Sequence, residues 1–284
     1  MSRTIAQLVL EATALLREAG VPEARLDAGA LLAHVLHRDR TFIIGHAEDV
    51  VDGDVIEVFQ KLVGRRAQGE PLQYITGRQE FFGLDFEVSD AVLIPRPETE
   101  LLVETALELL GPIQNPLICD IGTGSGCIAI TLLRHLPQAR VIAVDVSKQA
   151  LELAERNARR LGVSDRVTFA LSDCFSAIDR DQLFDMVVSN PPYVAADALD
   201  GLQREVRDFE PKAALTPGAD GLAIIRRLIE ETPYVLKRHG YLLLEIGFDQ
   251  RDRVAGMIDP QEWNLLDVHK DLQGIPRTVV LQKL

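Results

Sequence analysis

The chain is poor in aromatic residues, in cysteine and in positive charge. Tryptophan occurs once, aromatic residues make up 5% of 284 positions, and there are three cysteines. Cys119, Cys127 and Cys174 form no Cys-x-x-Cys pair, and two of them fall in predicted core segments. They read as reduced, small apolar residues of a cytosolic protein. The longest apolar runs, such as Leu101-Leu102-Val103, break within a few residues, far short of the roughly 20 residues of a membrane span. Arg3 and Arg17 near the N-terminus alternate with Glu11 and Glu18, which fits neither a secretion signal nor an acid-poor transit peptide. A cytoplasmic protein with no membrane partner is expected. Lys and Arg total 30 against 43 Asp and Glu, a formal net charge of −13. Nucleic-acid binders draw most of their affinity from phosphate neutralisation by Lys and Arg, so this balance counts against a nucleic-acid substrate.

What is present is an ordinary globular composition, 47% apolar and 26% charged, long enough for a small domain and a larger one. Residues 4–19 place Ile5, Leu8, Val9, Ala12, Leu15 and Leu16 at helical spacing, stopped by Gly20 and Pro22. The pattern repeats over 24–37 and 52–68, with Gly69 as the last stop, and predicts a helical domain over 1–75. His34 and His37 share a helix face there, but no third ligand completes a metal set, and no metal is expected. Residues 79–88 alternate and turn at Gly83-Leu84, a β-hairpin inside a linking segment over 76–95. Next comes Ile94-Pro95-Arg96-Pro97-Glu98-Thr99-Glu100, two prolines before a helix that opens at Glu98 or Thr99. Its acidic residues suit a helix dipole, or equally a loop lying over a bound cofactor.

Over 96–284 strand and helix alternate. Strands are predicted at 117–121, 140–145, 166–170, 184–189 and 240–246, helices at 126–136, 148–161, 220–238 and 249–258, and a last edge strand at 278–281. Met186-Val187-Val188 and Tyr241-Leu242-Leu243-Leu244 are continuous apolar runs, which indicates strands covered on both faces in a mostly parallel α/β sheet.

Ligands of such sheets sit beyond the carboxyl ends of the strands. The first strand ends at Asp120, and Gly122-Thr123-Gly124-Ser125-Gly126 follows. Glycines let backbone approach a ligand, and the next helix offers unpaired N–H groups. A dinucleotide fingerprint needs its third glycine three residues after the second, where this chain has Cys127. The glycine falls one residue early, as in the pattern of methyltransferases that use S-adenosylmethionine. Asp145 ends the second strand, nineteen residues past Gly126, where a carboxylate accepts from both ribose hydroxyls. Asp173 and Cys174 follow the third strand, placed to meet the adenine.

Asn190-Pro191-Pro192-Tyr193 ends the buried strand at 184–189. The Asn190 side-chain carbonyl and the Pro191 backbone carbonyl form a pair of acceptors for a planar –NH2, and proline brings no N–H to compete with them. As such a nitrogen attacks a methyl sulfonium it gains positive charge, which the two acceptors stabilise where it forms. Tyr193 is placed to pack against the planar group. These residues therefore predict methyl transfer to an amide or to an adenine or cytosine amino group.

The chain resembles the HemK/PrmC family of protein-glutamine methyltransferases. The likeness rests on Gly69-Glu70-Pro71-Leu72-Gln73-Tyr74-Ile75-Thr76-Gly77, Phe81-Phe82-Gly83, the 94–100 stretch, the glycine turn and Asn190-Pro191-Pro192-Tyr193. The resemblance implies a class I S-adenosylmethionine-dependent methyltransferase with a Rossmann-like sheet, a small N-terminal all-α domain for substrate recognition and a linking β-hairpin. It implies transfer to the glutamine of the Gly-Gly-Gln motif of class I translation release factors, with S-adenosylhomocysteine as product. It also implies cofactor contacts from Gly122 to Gly126, Asp145 and Asn190, and a substrate glutamine held by Asn190 to Tyr193. The resemblance also implies an aromatic residue stacking on adenine at the position of Cys174, where this chain departs from the pattern, with Phe175 as the substitute. The alternatives are a DNA or RNA adenine-amino methyltransferase, a non-catalytic cofactor-sensing module and, because of the glycine spacing, a distant NAD dehydrogenase.

Overall fold

The computed structural model describes residues 3–179 and 181–284, which cluster into two compact units. The first unit takes in Met1–Arg78 with Gln203–Phe209, the second Gln79–Leu202 with Glu210–Leu284.

The first unit holds β1 (Arg3–Thr4), α1 (Ile5–Glu18), α2 (Ala24–Leu36), α3 (Arg40–Gly45), β2 (Val50–Val51), α4 (Gly53–Ala67) and α5 (Leu72–Thr76). Thr4 and Gln7 form a capping box at the start of α1. The spacing that predicts the helices also makes their core: Leu8, Leu16, Leu31, Leu32, Phe59 and Val63 pack together, buried. Short β1 and β2 pair antiparallel, and neither is evident from periodicity because two-residue strands carry none. Arg66 is buried and bound three ways: to Asp27 at 2.7 Å, to the Glu70 carbonyl at 3.0 Å and to Glu205 at 3.0 Å. The last contact fastens the 203–209 segment to this unit.

A hairpin follows, β3 (Arg78–Phe81) and β4 (Leu84–Glu87). Its turn is Phe82-Gly83, one residue earlier than the predicted Gly83-Leu84. Both turn residues lie at positive φ, 53° and 72°, as a tight two-residue hairpin turn demands. A non-glycine residue in that conformation is what the sequence pattern conceals. The Phe82 N–H donates to the Glu100 carboxylate at 2.8 Å, so Glu100 fixes this turn.

The rest of the second unit comprises α6 (Pro97–Leu110), β5 (Leu117–Ile121), α7 (Cys127–His135), β6 (Arg140–Asp145), α8 (Lys148–Arg160), β7 (Val167–Leu171) and β8 (Phe184–Ser189). Then come α9 (Arg204–Phe209), which belongs to the first unit, α10 (Lys212–Leu215), α11 (Ala223–Glu231), β9 (Leu236–Glu245), α12 (Arg251–Ala255), β10 (Trp263–Lys270) and β11 (Pro276–Lys283). Seven strands form one sheet in the order β10-β11-β9-β8-β5-β6-β7. The five from β9 to β7 run parallel, and β11 and β10 add antiparallel at one edge. The expected α/β class with a mostly parallel sheet is what the structure has.

Alternate residues of each central strand feed two different cores. Met186, Val188, Leu243, Ile118 and Val141 join the cluster lined by α6 and α7. Val187, Leu242, Leu244, Cys119 and Val144 join the cluster lined by α11. Two departures have local causes. The helix expected over 220–238 ends at Glu231, because Pro233 cannot continue it, and β9 starts as early as Leu236 with His239 at positive φ. The antiparallel strand β10 was not predicted, since Trp263–Lys270 is largely solvent-facing and its apolar residues do not alternate with polar ones.

Candidate active site

Every sequence-predicted site residue lies at the carboxyl edge of the sheet, and the strand order sets their sequence across it. Reading along β9, β8, β5, β6 and β7, the strand ends deliver Glu245, Asn190, the glycine turn, Asp145 and Asp173. Hydrogen bonds lock adjacent ends together: the Ser189 hydroxyl donates to the Ile121 carbonyl at 2.7 Å, Gly122 N–H to Val144 at 2.9 Å and Ser172 N–H to Asp145 at 3.0 Å.

The glycine turn is shaped like a cradle. Gly122 and Gly124 have φ of 73° and 55°, and a Cβ on either would meet nothing within 4 Å. That open side is room for a ligand. Gly126 serves a different purpose: a Cβ there would lie 2.8 Å from Ile130 Cδ1 and 3.2 Å from Ala154 Cβ. It is glycine so that α7 can start at φ 82° and pack against α8. Thr123 is turned inward, its hydroxyl donating to Asp120 Oδ2 at 2.7 Å. The other Asp120 oxygen is buried with no hydrogen-bond partner among the described residues. An orphaned buried carboxylate oxygen beside an open glycine cradle fits the ammonium end of an amino-acid-bearing cofactor. Asp145 accepts from Gly124 N–H and Ser147 N–H, both at 2.9 Å. Burial raises its carboxyl, and those N–H donors oppose the rise.

Ser125 is buried, and its carbonyl accepts from Asn157 Nδ2 at 2.9 Å. Asn157 also bonds both backbone groups of Glu87, accepting from N–H at 2.8 Å and donating to the carbonyl at 3.0 Å. It thus pins the turn and β4 to α8. The signal for it in the sequence is a polar residue on the apolar stripe Ala150, Leu153, Ala154, Ala158. Truncating Asn157 to alanine leaves one buried and two part-buried backbone groups without this partner, so a loss of about 2–3 kcal/mol is expected. Urea unfolding of Asn157→Ala, with the midpoint compared to the parent, measures it.

At the far end, Asp173 is exposed and its carboxylate pairs with Arg227 of α11 at 2.6 Å. Cys174, at φ 47°, is buried in the α11-side core, with Phe175 packed against that core. Burial pushes its thiol up to about 11, so it stays protonated and apolar.

The Asn190 end carries the residues that sequence reasoning missed. Asn190 Nδ2 donates to the Thr99 hydroxyl at 2.9 Å, Thr99 donates to Glu245 Oε2 at 2.6 Å, and the Tyr193 hydroxyl donates to Glu245 Oε1 at 3.1 Å. Glu245 and Thr99 are buried. Gln250, also buried, donates to the Tyr193 carbonyl at 2.8 Å and accepts from Gly247 N–H at 2.9 Å. Arg96 pairs with buried Glu210 at 2.6 Å, which ties the Pro-Arg-Pro stretch to the chain beyond the hook. Glu245 had a readable signal. It ends an apolar strand, as Asp145 does.

Burial holds Asp120 and Glu245 at about 7, above their ordinary 3.8 and 4.5, with hydrogen bonds opposing the rise. The sign follows from the raised values. The stability these groups allow is complete below the ordinary values and is lost as pH rises through 7, when they ionise in place. Thermal melts of Asp120→Asn should therefore gain on the parent between pH 5 and 8, and parallel curves would refute the assignment.

Comparison with known proteins decides the family. Residues 7–77 match the model described as the PrmC N-terminal domain, and residues 97–208 match the one described as methyltransferase small domain. A release factor glutamine methyltransferase of Koribacter versatilis is 45% identical over 280 residues, covering 99% of each chain. The chain belongs to the release factor glutamine methyltransferase family. A second family member, from Nitratidesulfovibrio vulgaris, is 42% identical over 284 residues, covering 99% of this chain and 95% of its own. The fold is similar to that of a methyltransferase of Pyrococcus furiosus at 17% identity, with a TM-score of 0.54 over 77% of this chain and 98% of that one. Like other release factor glutamine methyltransferases, the chain is an S-adenosylmethionine-dependent enzyme of the methyltransferase fold. Among the described residues no helix is long and apolar enough to cross a membrane.

Proposed function

We propose that this enzyme transfers the methyl group of S-adenosylmethionine to the side-chain amide nitrogen of the glutamine in the Gly-Gly-Gln motif of class I release factors. Family membership selects the glutamine, and the observation that carries the chemistry is the held orientation of Asn190. Its Nδ2 is committed to Thr99, and its Oδ1 accepts no hydrogen bond from the described residues. Thr99 Oγ1 spends its proton on Glu245, so it has only lone pairs to offer Asn190. The amide nitrogen must face it, and the carbonyl is left to accept from an incoming –NH2.

When bound, S-adenosylmethionine supplies a methyl group activated by a positive sulfur. The chain supplies everything else. Gly122, Thr123, Gly124, Ser125 and Gly126 form the cradle for the cofactor's amino-acid portion, with Asp120 beneath it. Asp145 takes the ribose hydroxyls, and Asp173 and Cys174 border the adenine. Asn190 lies between cofactor and substrate. With the Pro191 carbonyl it accepts the two N–H bonds of the glutamine amide, which aims the nitrogen and stabilises the positive charge it acquires. Pro192 stiffens the loop, and Tyr193 packs on the amide plane. The methylated nitrogen is acidic and loses its proton to water.

The helical domain over 1–75 recognises the release factor, 76–95 links it, and 96–284 carries the chemistry. The factor works in translation, so the enzyme acts in the cytoplasm. The charge balance supports a protein acceptor without direct nucleic-acid binding. Incubation with methyl-labelled S-adenosylmethionine tests the choice. Label is expected on a release factor and not on one whose motif glutamine is alanine, nor on DNA or RNA. Label on nucleic acid alone would favour the adenine-amino reading.

A further inference from the structure

We infer that Glu245, acting through Thr99, is the positioning residue that fixes which end of the Asn190 amide faces the substrate. The inference rests on the proposed use of Asn190 as an acceptor and extends it to residues that touch neither substrate nor cofactor.

The direction of three hydrogen bonds sets the orientation. An amide presents nearly the same shape either way round, and only its partners decide where oxygen and nitrogen lie. An ionised carboxylate only accepts. At 2.6 Å from Glu245 Oε2, the Thr99 hydroxyl must donate to it. Thr99 then faces Asn190 with lone pairs alone and takes an N–H, as the 2.9 Å contact shows. Turning the amide over would set two acceptors against each other in a buried site. Tyr193 donates to the second Glu245 oxygen at 3.1 Å, so one carboxylate orders both ends of the Asn190-to-Tyr193 hook. It does so across 146 residues of chain between Thr99 and Glu245.

Protonation undoes this. A neutral Glu245 carries its own O–H and is able to donate to Thr99. The Thr99 proton is then free to point at Asn190, which favours the turned amide and presents –NH2 where a carbonyl is needed. The groups that act on Glu245 are few. Thr99 and Tyr193 donate to it, Arg277 favours its charge and Glu98 opposes it, while burial is the largest influence and raises it to about 7. Cys127 at the start of α7 feels its charge, and Arg96 acts on the neighbouring Tyr193. The switch of orientation therefore falls near pH 7. Its sign is that transfer rises with pH through 7.

The test uses the full-length enzyme with S-adenosylmethionine and a release factor. Thr99→Val keeps the shape and removes the hydroxyl. It should lower kcat by about 10- to 100-fold, with KM for the release factor and Kd for the cofactor within about twofold of the parent. Thr99→Ser restores the hydroxyl and should recover most of the loss. In Glu245→Gln the carboxamide carries no titrating proton, so the acid limb of the kcat profile near pH 7 should vanish. Asp120, the other carboxyl near 7, is intact in that variant, so a limb that survives would belong to it and contradict the inference. Equal kcat in Thr99→Val, or no recovery in Thr99→Ser, would also overturn it.

A second readout does not depend on transfer. The sequence has four asparagines, at 115, 157, 190 and 264, so asparagine-selective 15N labelling gives four side-chain amide signals. The Asn190 pair, assigned by its loss in Asn190→Ala, should shift with a midpoint near pH 7 in the parent and stay fixed in Glu245→Gln. An invariant pair in both would refute the positioning role. A parent enzyme that leaves release factors unmethylated would sink the proposed substrate instead, while the labelling result still decides the role of Glu245.

Discussion

Asn190→Ala is expected to lower methyl transfer to a release factor by about 100- to 1,000-fold, the usual cost of removing one acceptor or donor aimed at developing charge. Cofactor affinity should change by no more than a few-fold. The proposed cofactor contacts come mostly from elsewhere, the Gly122–Gly126 turn and Asp145, with the Asn190 side chain at one edge. The split between the two effects is the informative part. A non-catalytic, cofactor-sensing protein would keep its function in this variant, because its function would need only the cofactor. A structural role for Asn190 would lower stability and affinity together. Isothermal titration with S-adenosylmethionine, run beside single-turnover transfer, separates the three. The variant also leaves the Thr99 hydroxyl without the N–H that Asn190 donates to it, a cost of about 1–2 kcal/mol.

The second large effect is expected from a residue that makes no contact through a side chain. Gly221 has φ 75°, and a Cβ on it would stand 2.4 Å from the Tyr193 carbonyl oxygen and 3.0 Å from the Ala195 nitrogen. Both atoms are backbone, so neither has a rotamer to escape into. Gly221→Ala must therefore displace the hook. The Tyr193 carbonyl is also the acceptor for Gln250 Nε2, and that bond breaks when the carbonyl moves. We expect a loss of about 2–4 kcal/mol in stability, from left-handed strain and the lost bond. A displacement approaching 1 Å should cost about 100-fold in transfer. Gly218→Ala is the control. Its φ is 91°, but nothing lies within 4 Å of its Cβ, so it bears the strain of a left-handed alanine without pushing the loop. If the two variants lost activity equally, the close approach at Gly221 would not be what matters.

The legible parts of this site share one trait. Asp120, Asp145 and Asn190 each lie within one residue of the end of an apolar strand, and in a parallel sheet that position already specifies one edge. The strand order sets the glycine turn, Asp145 and the hook side by side. What periodicity does not carry is pairing between distant segments. Thr99 reads as the first turn of a helix and Glu245 as the end of a strand, and only folding brings them within 2.6 Å. Gln250 and Gly221 are hidden in the same way, since both act on backbone atoms of the hook rather than through a motif. Errors in the fold have the same origin. The hairpin turn shifts by one residue because Phe82 takes a conformation usually left to glycine, and β10 escapes notice because an edge strand with one covered face need not be apolar. The choice of glutamine over adenine was not legible from the chemistry at all. Both are planar –NH2 groups, and family membership separates them.

The account is tested most directly by mass spectrometry of a class I release factor after incubation with the enzyme and S-adenosylmethionine. A peptide containing the Gly-Gly-Gln motif should carry one added methyl group, with fragment ions placing it on the glutamine side chain, and the Asn190→Ala enzyme should leave it unmodified. A motif peptide that remains unmodified with the parent enzyme, or a methyl group on any other residue, would contradict the account.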